Sequence, residues 1–523
     1  MNASLQGNRI EMAFPFDFKI IEIIKDQIPD RAWNHPKARR VWSVPNSPWH
    51  CAKVIEVLKP LGFYIDPEIV KCADAKADKP NLRKQLPKNL FKYQKIGVEF
   101  IYAARGRALI TDDMGLGKSA EALVWANLFG GNKILIVAPA NVTWKWALKE
   151  LPMWADGRSW QVIENGKQEF KDVDITIMSY RMMVIRYEEL LILPFDTMIY
   201  DEAHYLKSNK SQQNRVARKL VKGVPYVLLL TGTAFKNRRI EMYPLLNMLD
   251  PKIWSNAIEF GTRYCGGVFS QGHWIVPPDK ETNTDELQAR LLPIMLRRTK
   301  GQVATDLPDL TRASIPMYLD NNKEYEQTLR SVKEQARAEG YKPARALTLL
   351  NKLRQVVGMG KAKATVDLAL DVLESGNQVV IFAHHKATVA AIVDGLIKSG
   401  VRRDSIGIID GSTKQNERYG LTETWLSDTS WLKVMVISSA GKEGIDLYSA
   451  SHIIFAERLW TSADEEQLEA RLHRRGQKNP VTAHYLVARG TVDEKLDNLV
   501  HQKRQQFANL IETDAVREIF MEL

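Results

Sequence analysis

Apolar residues in this chain gather into short continuous runs, and each run stops at a turn-like motif. From Leu90 to about Leu249 these are "RALIT", "KILIVAPA", "DITIMSY", "DTMIYDEAH" and "YVLLLTGT", alternating with helical stretches such as "SAEALVWANLF". A strand with one wet face alternates apolar and polar positions. A continuously apolar strand is buried on both faces, which indicates a parallel sheet covered by helices. The same grammar returns in "QVVIFAHH", "SIGIID", "KVMVISSA", "HIIFAE" and "TAHYLVA". Between the two sets, from about Asp250 to Gly376, the sequence is charge-rich and more helical. Ahead of both, from about Phe14 to Pro67, lies a small mixed unit. There Val54, Ile55, Val57, Leu58 and Leu61 fall at helical spacing, and "RRVWSVP" reads as a strand ending at proline. The polar, lysine-rich "CADAKADKPNLRKQLPKN" that follows reads as a linker. The pattern predicts an α/β chain: two parallel-sheet lobes with helical insertions and a small amino-terminal α+β module. Its expected parts are a module over 1–72, a linker over 73–89, a first lobe over 90–249, a helical insertion over 250–360, a second lobe over 361–504 and a terminal helix over 505–523.

The 523 residues suffice for two or three domains, and 45% hydrophobic with 26% charged residues is an ordinary globular balance. A formal charge of +11 favours polyanionic partners such as nucleic acid. Cys51, Cys72 and Cys265 are odd in number and far apart, so they suggest neither a disulfide framework nor a zinc site, and a reducing compartment is expected. The start, "MNASLQGNRIEMAF", has no apolar signal core, and no uncharged run is long enough to span a bilayer. The expectation is a soluble protein without membrane contact, cytoplasmic and nucleoid-associated or nuclear according to its host. His384 and His385 are adjacent on a predicted strand and so point to opposite faces, and no Cys or Asp nearby completes a ligand set. No metal beyond magnesium is expected, nor any nuclease or protease.

Chemistry first appears in "TDDMGLGKS", Thr111 to Ser119, which follows a strand and opens a helix. Gly115 and Gly117 let backbone amides close around phosphate, and the helix amino terminus adds a favourable dipole. Lys118 reaches the outer phosphates in such a loop, and the Ser119 hydroxyl ligates magnesium. Asp112 stands where the general phosphate loop has its first glycine, and Asp113, Met114 and Leu116 complete the ATP-binding loop. "DEAH", Asp201 to His204, follows the apolar strand "TMIY". Asp201 at a strand end suits a water-mediated magnesium contact, and Glu202 suits polarising the water that attacks the γ-phosphate.

"DDMGLGKS", "DEAH", "LLLTGT", "LRRTKGQVATDLP", "DGST" followed by Glu417 and Arg418, "SSAGKEGIDL" and "QLEARLHRRGQ" occur in the order of the Swi/Snf-type ATPases of helicase superfamily two. The resemblance covers roughly Leu90 to Arg504. It implies two RecA-like lobes, with ATP in the cleft between them and duplex DNA across the cleft's other side. Arg471 and Arg474 match the family's arginine fingers, whose anion is the γ-phosphate. Arg475 occupies a position usually apolar in the family and reads as facing solvent or DNA. Gln94 in "LFKYQ" resembles the adenine-reading residue, with Phe91 and Tyr93 either beside the base or in the core. Gly444 joins the ATP site, while His204, Thr231, Thr233 and Gln467 couple nucleotide state to lobe closure. Lys145 of "APANVTWKW", Ser179 of "SYR", Ser412, Thr413, Ser438 and Ser439 are implied contacts to DNA phosphates, which position the duplex without reading sequence. Three residues depart from the family pattern: Ala234 replaces proline, Lys442 a glycine and Asp446 an asparagine. Ser119 for threonine keeps the hydroxyl.

"VVIFAHHKATVAAI" and "HIIFAERLW…HRRGQ…HYLVARGTVDEKL" look most like the HARP-type annealing helicases, and the amino-terminal unit resembles a HARP module. Its Trp33 and Trp42 either stack on bases or fill a small core. Arg31, Lys37, Arg39 and Arg40 are candidate phosphate contacts. The expected function is an ATP- and magnesium-dependent translocase, acting as a monomer on double-stranded or forked DNA to re-anneal or remodel it. The alternatives are a motor that displaces DNA-bound proteins within a repair or defence assembly, and a DNA clamp with a dead ATPase.

Overall fold

The computed structural model describes residues 1–6, 9–28, 32–34, 41–45, 48–73, 85–155, 157–232, 239–270, 273–277, 280–304, 306–339, 342–439 and 444–505. They form two compact units. The first comprises Met1–Thr111, Ser119–Val137 and Arg158–Arg297, and the second Asp112–Lys118, Ala138–Gly157 and Arg298–Leu523. Among the described residues no helix is long and apolar enough to cross a membrane. The expected helix over 505–523 and the expected contacts Arg31, Lys37, Arg39 and Arg40 lie outside the described residues, as do Thr233, Ala234 and Lys442.

Within the first unit the amino-terminal module is a five-stranded sheet in the order Ala32–Asn34, Val41–Pro45, Arg9–Ala13, Asn2–Gln6, Tyr64–Ile65, with helices Phe18–Gln27, Pro48–Leu58 and Pro67–Ala73. Ile10, Met12, Ile24, Val44, Val54 and Leu58 form its core, and Trp42 packs against that core partly buried. Cys51 is fully buried there, and desolvation pushes its thiol up, as expected of an inert packing residue.

The first large sheet has seven strands in the order Met295–Leu296, Arg107–Ile110, Tyr226–Leu230, Thr197–Asp201, Ile134–Ala138, Ile175–Ser179, Trp160–Ile163. Its registered pairs run parallel, and its central strands are buried except at Tyr226 and Asp201, as their continuous apolar runs require. Two edge strands are additional to the five expected. Trp160–Ile163 is interrupted by Gln161, and Met295–Leu296 is two residues long, so neither stands out as an apolar run.

The second unit holds a six-stranded parallel sheet in the order Leu310–Met317, Val481–Ala488, His452–Phe455, Val379–Phe382, Val434–Ile437, Ile406–Ile409. Its edge strand Leu310–Met317 corrects the expected boundary, because it lies inside the segment 250–360 read as helical insertion. The reason is its sequence: "LTRASIPM" is polar and only partly buried, with a proline that an edge strand tolerates. Helices Asn322–Glu339 and Pro343–Gly360 do follow as expected, sharing a core with Val492–Gln505 through Leu349, Leu353, Leu496 and Val500.

Candidate functional site

Parallel strands present their carboxyl ends along one edge, where loops gather and ligands bind. The motifs sit there. In the first unit, Ile110 leads into Thr111, Asp201 opens "DEAH", and Leu230 leads into Thr231. In the second, Phe382 precedes His384, Ile409 precedes Ser412 and Thr413, and Ile437 precedes Ser438 and Ser439.

At the first unit's edge Glu202 adopts φ 50°, a left-handed backbone that a non-glycine residue enters only against strain. Its amide donates to Asp201 Oδ1 at 3.0 Å. His204 Nδ1 lies 3.1 Å from Glu202 Oε2 and 3.3 Å from Thr231 Oγ1. One imidazole nitrogen thus faces both the candidate catalytic carboxylate and the next strand's hydroxyl, and it bonds one or the other according to tautomer. The Tyr180 hydroxyl donates to the Asp201 carbonyl at 2.7 Å, bracing the turn from behind. Gln94 is buried at the amino terminus of helix Lys92–Ala103, its Oε1 accepting from the Phe91 amide at 3.0 Å. Tyr93 is buried, whereas Phe91 stacks on it and remains exposed.

In the second unit the phosphate loop turns through Gly115 and Gly117, both at φ 86°. Lys118 Nζ donates to the carbonyls of Asp112 at 2.7 Å and Asp113 at 3.2 Å. The Asp112 carboxylate is fully buried and takes the Arg298 guanidinium, with Nε to Oδ2 at 3.0 Å, and the Arg298 amide at 2.9 Å. The Asp112 side chain thus anchors the loop to the "LRRTK" segment, and its carbonyl faces Lys118. Asp113 Oδ2 accepts from the Lys300 amide at 3.0 Å, and Lys300 Nζ donates to the His473 carbonyl at 2.6 Å. Gly115 has a second reason to be glycine, since a Cβ there would lie 3.0 Å from the Cβ of Arg474.

Arg474 itself ion-pairs with Asp446, which is also 3.1 Å from Lys145 Nζ and 2.8 Å from Lys149 Nζ. Burial pushes the Asp446 carboxyl up, but Arg474, Lys145 and Lys149 together outweigh it and hold it well below the usual carboxylate range. Lys145 is pulled down by desolvation against the attraction of Asp446. Lys145, an expected DNA-phosphate contact, thus meets a carboxylate of its own unit. Arg475 pairs with the exposed Asp306, its own side chain 18% exposed. Gln467 and Arg471, four residues apart and so on one face, lie on helix Ser462–Leu472. Gly444, at φ 78°, meets the Asn141 carbonyl where a Cβ would stand 2.7 Å away.

Of the residues expected at DNA, Ser179, Ser412, Thr413 and Ser439 have hydroxyls engaged locally. Ser179 caps helix Tyr180–Ile185 by accepting from the Met182 amide at 3.2 Å. Ser412 donates to Asp410 Oδ1 at 2.6 Å, and Thr413 Oγ1 accepts from the Asp410 amide at 3.0 Å. Ser439 Oγ lies 2.8 Å from His384 Nδ1, and the Ser438 amide donates to the Ile409 carbonyl at 3.0 Å. The two histidines are tied into the loop: Glu457 accepts from both their amides, at 2.7 and 3.0 Å, and its second oxygen meets His385 Nδ1 at 2.5 Å.

A phosphate loop and two arginines in the second unit, and a DEAH turn with strained backbone in the first, are residue types that nucleotide hydrolysis uses. The SNF2-related domain matches residues 93–359, and the helicase conserved C-terminal domain matches residues 360–476. The chain belongs to the SNF2-related family. Its relatives include the SWI/SNF-related matrix-associated actin-dependent regulator of chromatin subfamily A-like protein 1 homolog of Caenorhabditis elegans, 31% identical over 95% of this chain and 74% of that protein. The Drosophila melanogaster protein of the same name is 31% identical over 81% of this chain and 56% of its own length. The DNA annealing helicase and endonuclease ZRANB3 of Homo sapiens is 27% identical over 81% of this chain and 40% of its own length. Apart from the nematode protein, then, these relatives are roughly twice as long as the stretch the chain matches. The Sulfolobus solfataricus SWI2/SNF2 ATPase core in complex with dsDNA is similar at 24% identity and a TM-score of 0.39, over 82% of this chain and 94% of that one.

For an SNF2-related ATPase, Lys300 is a functional candidate that sequence reasoning passed over, although it lies inside the quoted "LRRTKGQ". Burial pushes its ammonium down to about 8, with Arg474 and Lys118 adding to the fall. The folded value lies below the ordinary 10.5, so the unfolded chain holds more protons between about pH 8 and 10.5, and this group's contribution to stability rises with pH there. A triphosphate beside Lys300 favours the charged form and takes up a proton above pH 8. The KM for ATP should therefore climb between pH 8 and 9.5, by up to about tenfold per unit. Lys300→Arg, which stays charged, should flatten the climb in steady-state assays. Equal slopes in the two proteins would remove Lys300 from the phosphate site.

Proposed function

We propose that this chain is an ATP-driven translocase on double-stranded DNA that re-anneals or remodels branched or unwound DNA, working as a monomer on its substrate. The observation that carries this reading is the alignment of 81% of the chain with proteins named annealing helicases, in a chain that keeps Lys118, Glu202 and Arg474. The residues present fit a triphosphate. In the second unit Lys118, Lys300, Lys145, Lys149 and Arg474 gather around Asp113 and Asp446, an excess of positive charge that suits an anion. Lys118 and the amides of Gly115 and Gly117 would hold the outer phosphates. Magnesium, arriving with the nucleotide, would sit at the Ser119 hydroxyl and, through water, at Asp201, and would neutralise charge on the phosphates. Glu202 would orient and polarise the attacking water, and Arg474 and Arg471 would meet the charge that develops on the γ-phosphate. His204, between Glu202 and Thr231, would pass the state of that carboxylate to the neighbouring strand. DNA would be held by its phosphates, so binding would be indifferent to sequence and steeply dependent on salt.

The experiment that tests the annealing role is ATP-dependent closure of a bubble kept open by a single-strand-binding protein. The chain should close it. Replacing Arg31, Lys37, Arg39 and Arg40 by alanine should cost most of that activity while leaving DNA-stimulated ATP hydrolysis within about twofold, because these charges grip the junction and not the nucleotide. If the chain displaces a bound roadblock but leaves the bubble open, it is a protein-displacing motor instead.

A further inference from the structure

The arginine that the mechanism sends to the γ-phosphate is held elsewhere in the structure. Arg474 pairs with Asp446, a carboxylate 4% exposed that also binds Lys145 at 3.1 Å and Lys149 at 2.8 Å. The root of the same side chain lies against the phosphate loop, where a Cβ on Gly115 would come within 3.0 Å of the Arg474 Cβ. An arginine side chain is long and flexible. From that root its guanidinium has two anionic destinations, the buried carboxylate and a phosphate in the loop. Both bind it best as charge-assisted pairs, and it cannot fully serve both.

We propose that Asp446 is a positioning residue that keeps the Arg474 guanidinium off the nucleotide in the absence of DNA, so holding down futile ATP hydrolysis. This rests on the reading of Arg474 as the arginine finger, and it makes the Asp446 departure from the family's asparagine meaningful. An asparagine of the same shape offers Arg474 a neutral oxygen, whereas the aspartate offers a full charge in a buried setting where ion pairing is strong. The exchange is of ion partners only. Hydrolysis of ATP to ADP and phosphate keeps its ordinary stoichiometry, and what changes is how often the finger is present when water attacks.

The test is phosphate release at saturating ATP, without nucleic acid and with saturating duplex DNA. Asp446→Asn should raise the nucleic-acid-free kcat by about tenfold or more and leave the DNA-saturated kcat within about twofold, so that the stimulation ratio collapses. Such a rise matches loss of one strong charge-assisted contact, about 1.4 kcal/mol per tenfold. Asp446→Glu, which keeps the charge, should stay near the unsubstituted rate. Adding Arg474→Ala to Asp446→Asn should abolish the gain. Removing the carboxylate leaves three cations together, so Asp446→Asn/Lys149→Gln, which removes one cation with it, carries the same test if the single variant does not fold. An unchanged nucleic-acid-free rate in a folded variant overturns the proposal, as does an equal rise in Asp446→Glu. The decisive comparison contains no nucleic acid, so it is separable from the DNA reading: absence of DNA stimulation in the unsubstituted chain would defeat that reading and leave this comparison intact.

Discussion

Glu202→Gln should still bind ATP and hydrolyse it at least about a hundredfold more slowly. General-base groups commonly contribute 10²–10⁴ in rate, and glutamine keeps the shape while losing the charge that polarises water. The site explains why the loss should be specific. The backbone at Glu202 is strained at φ 50°, and the turn is braced by Tyr180 on the Asp201 carbonyl, so the side chain is aimed by its surroundings, with His204 at 3.1 Å from the carboxylate. Lys118→Ala should behave differently, weakening ATP binding as well as abolishing turnover, because the outer phosphates lose their point charge. Binding by a fluorescent ATP analogue, alongside phosphate release, separates the two. Near-normal turnover in Glu202→Gln would remove that residue from catalysis.

Arg474→Ala should leave ATP affinity little changed and cut the DNA-stimulated rate by about a thousandfold, the scale at which arginine fingers act on phosphoryl transfer. Arg475→Ala should cost far less, on the order of twofold, because its guanidinium is committed to Asp306 and the Val303 carbonyl. Single-turnover rates at saturating duplex DNA compare the neighbours directly. Equal losses would mean that the arginine cluster acts as a structural block rather than through one finger.

What could be read in the sequence was what is local. Continuously apolar runs such as "KILIVAPA" and "QVVIFAHH" are recognisable because both faces of a central parallel strand are buried, and they became the middles of the two sheets. Leu310–Met317 escaped because an edge strand keeps polar residues and a proline. The same divide runs through the site. Lys118, Glu202 and Arg474 announce themselves through motifs of a few residues. The pairs that organise them do not: Asp112 with Arg298 spans 186 positions, and Asp446 with Arg474 spans 28. Such pairs join charges that are unremarkable in their own neighbourhoods, so only the fold shows that Lys145 lies half-buried against a carboxylate. Asp446 did leave a trace, as a departure from a family pattern, but a departure marks a position without naming its partner.

Steady-state phosphate release across single-stranded, duplex and forked DNA and structured RNA reads out whether these residues form a motor driven by duplex DNA. Duplex and forked DNA should stimulate turnover at least tenfold over the nucleic-acid-free rate, with single strands and RNA far behind and Glu202→Gln silent on every substrate. Comparable stimulation by structured RNA would mean that duplex DNA is not what drives the chain, and so would hydrolysis that ignores nucleic acid altogether.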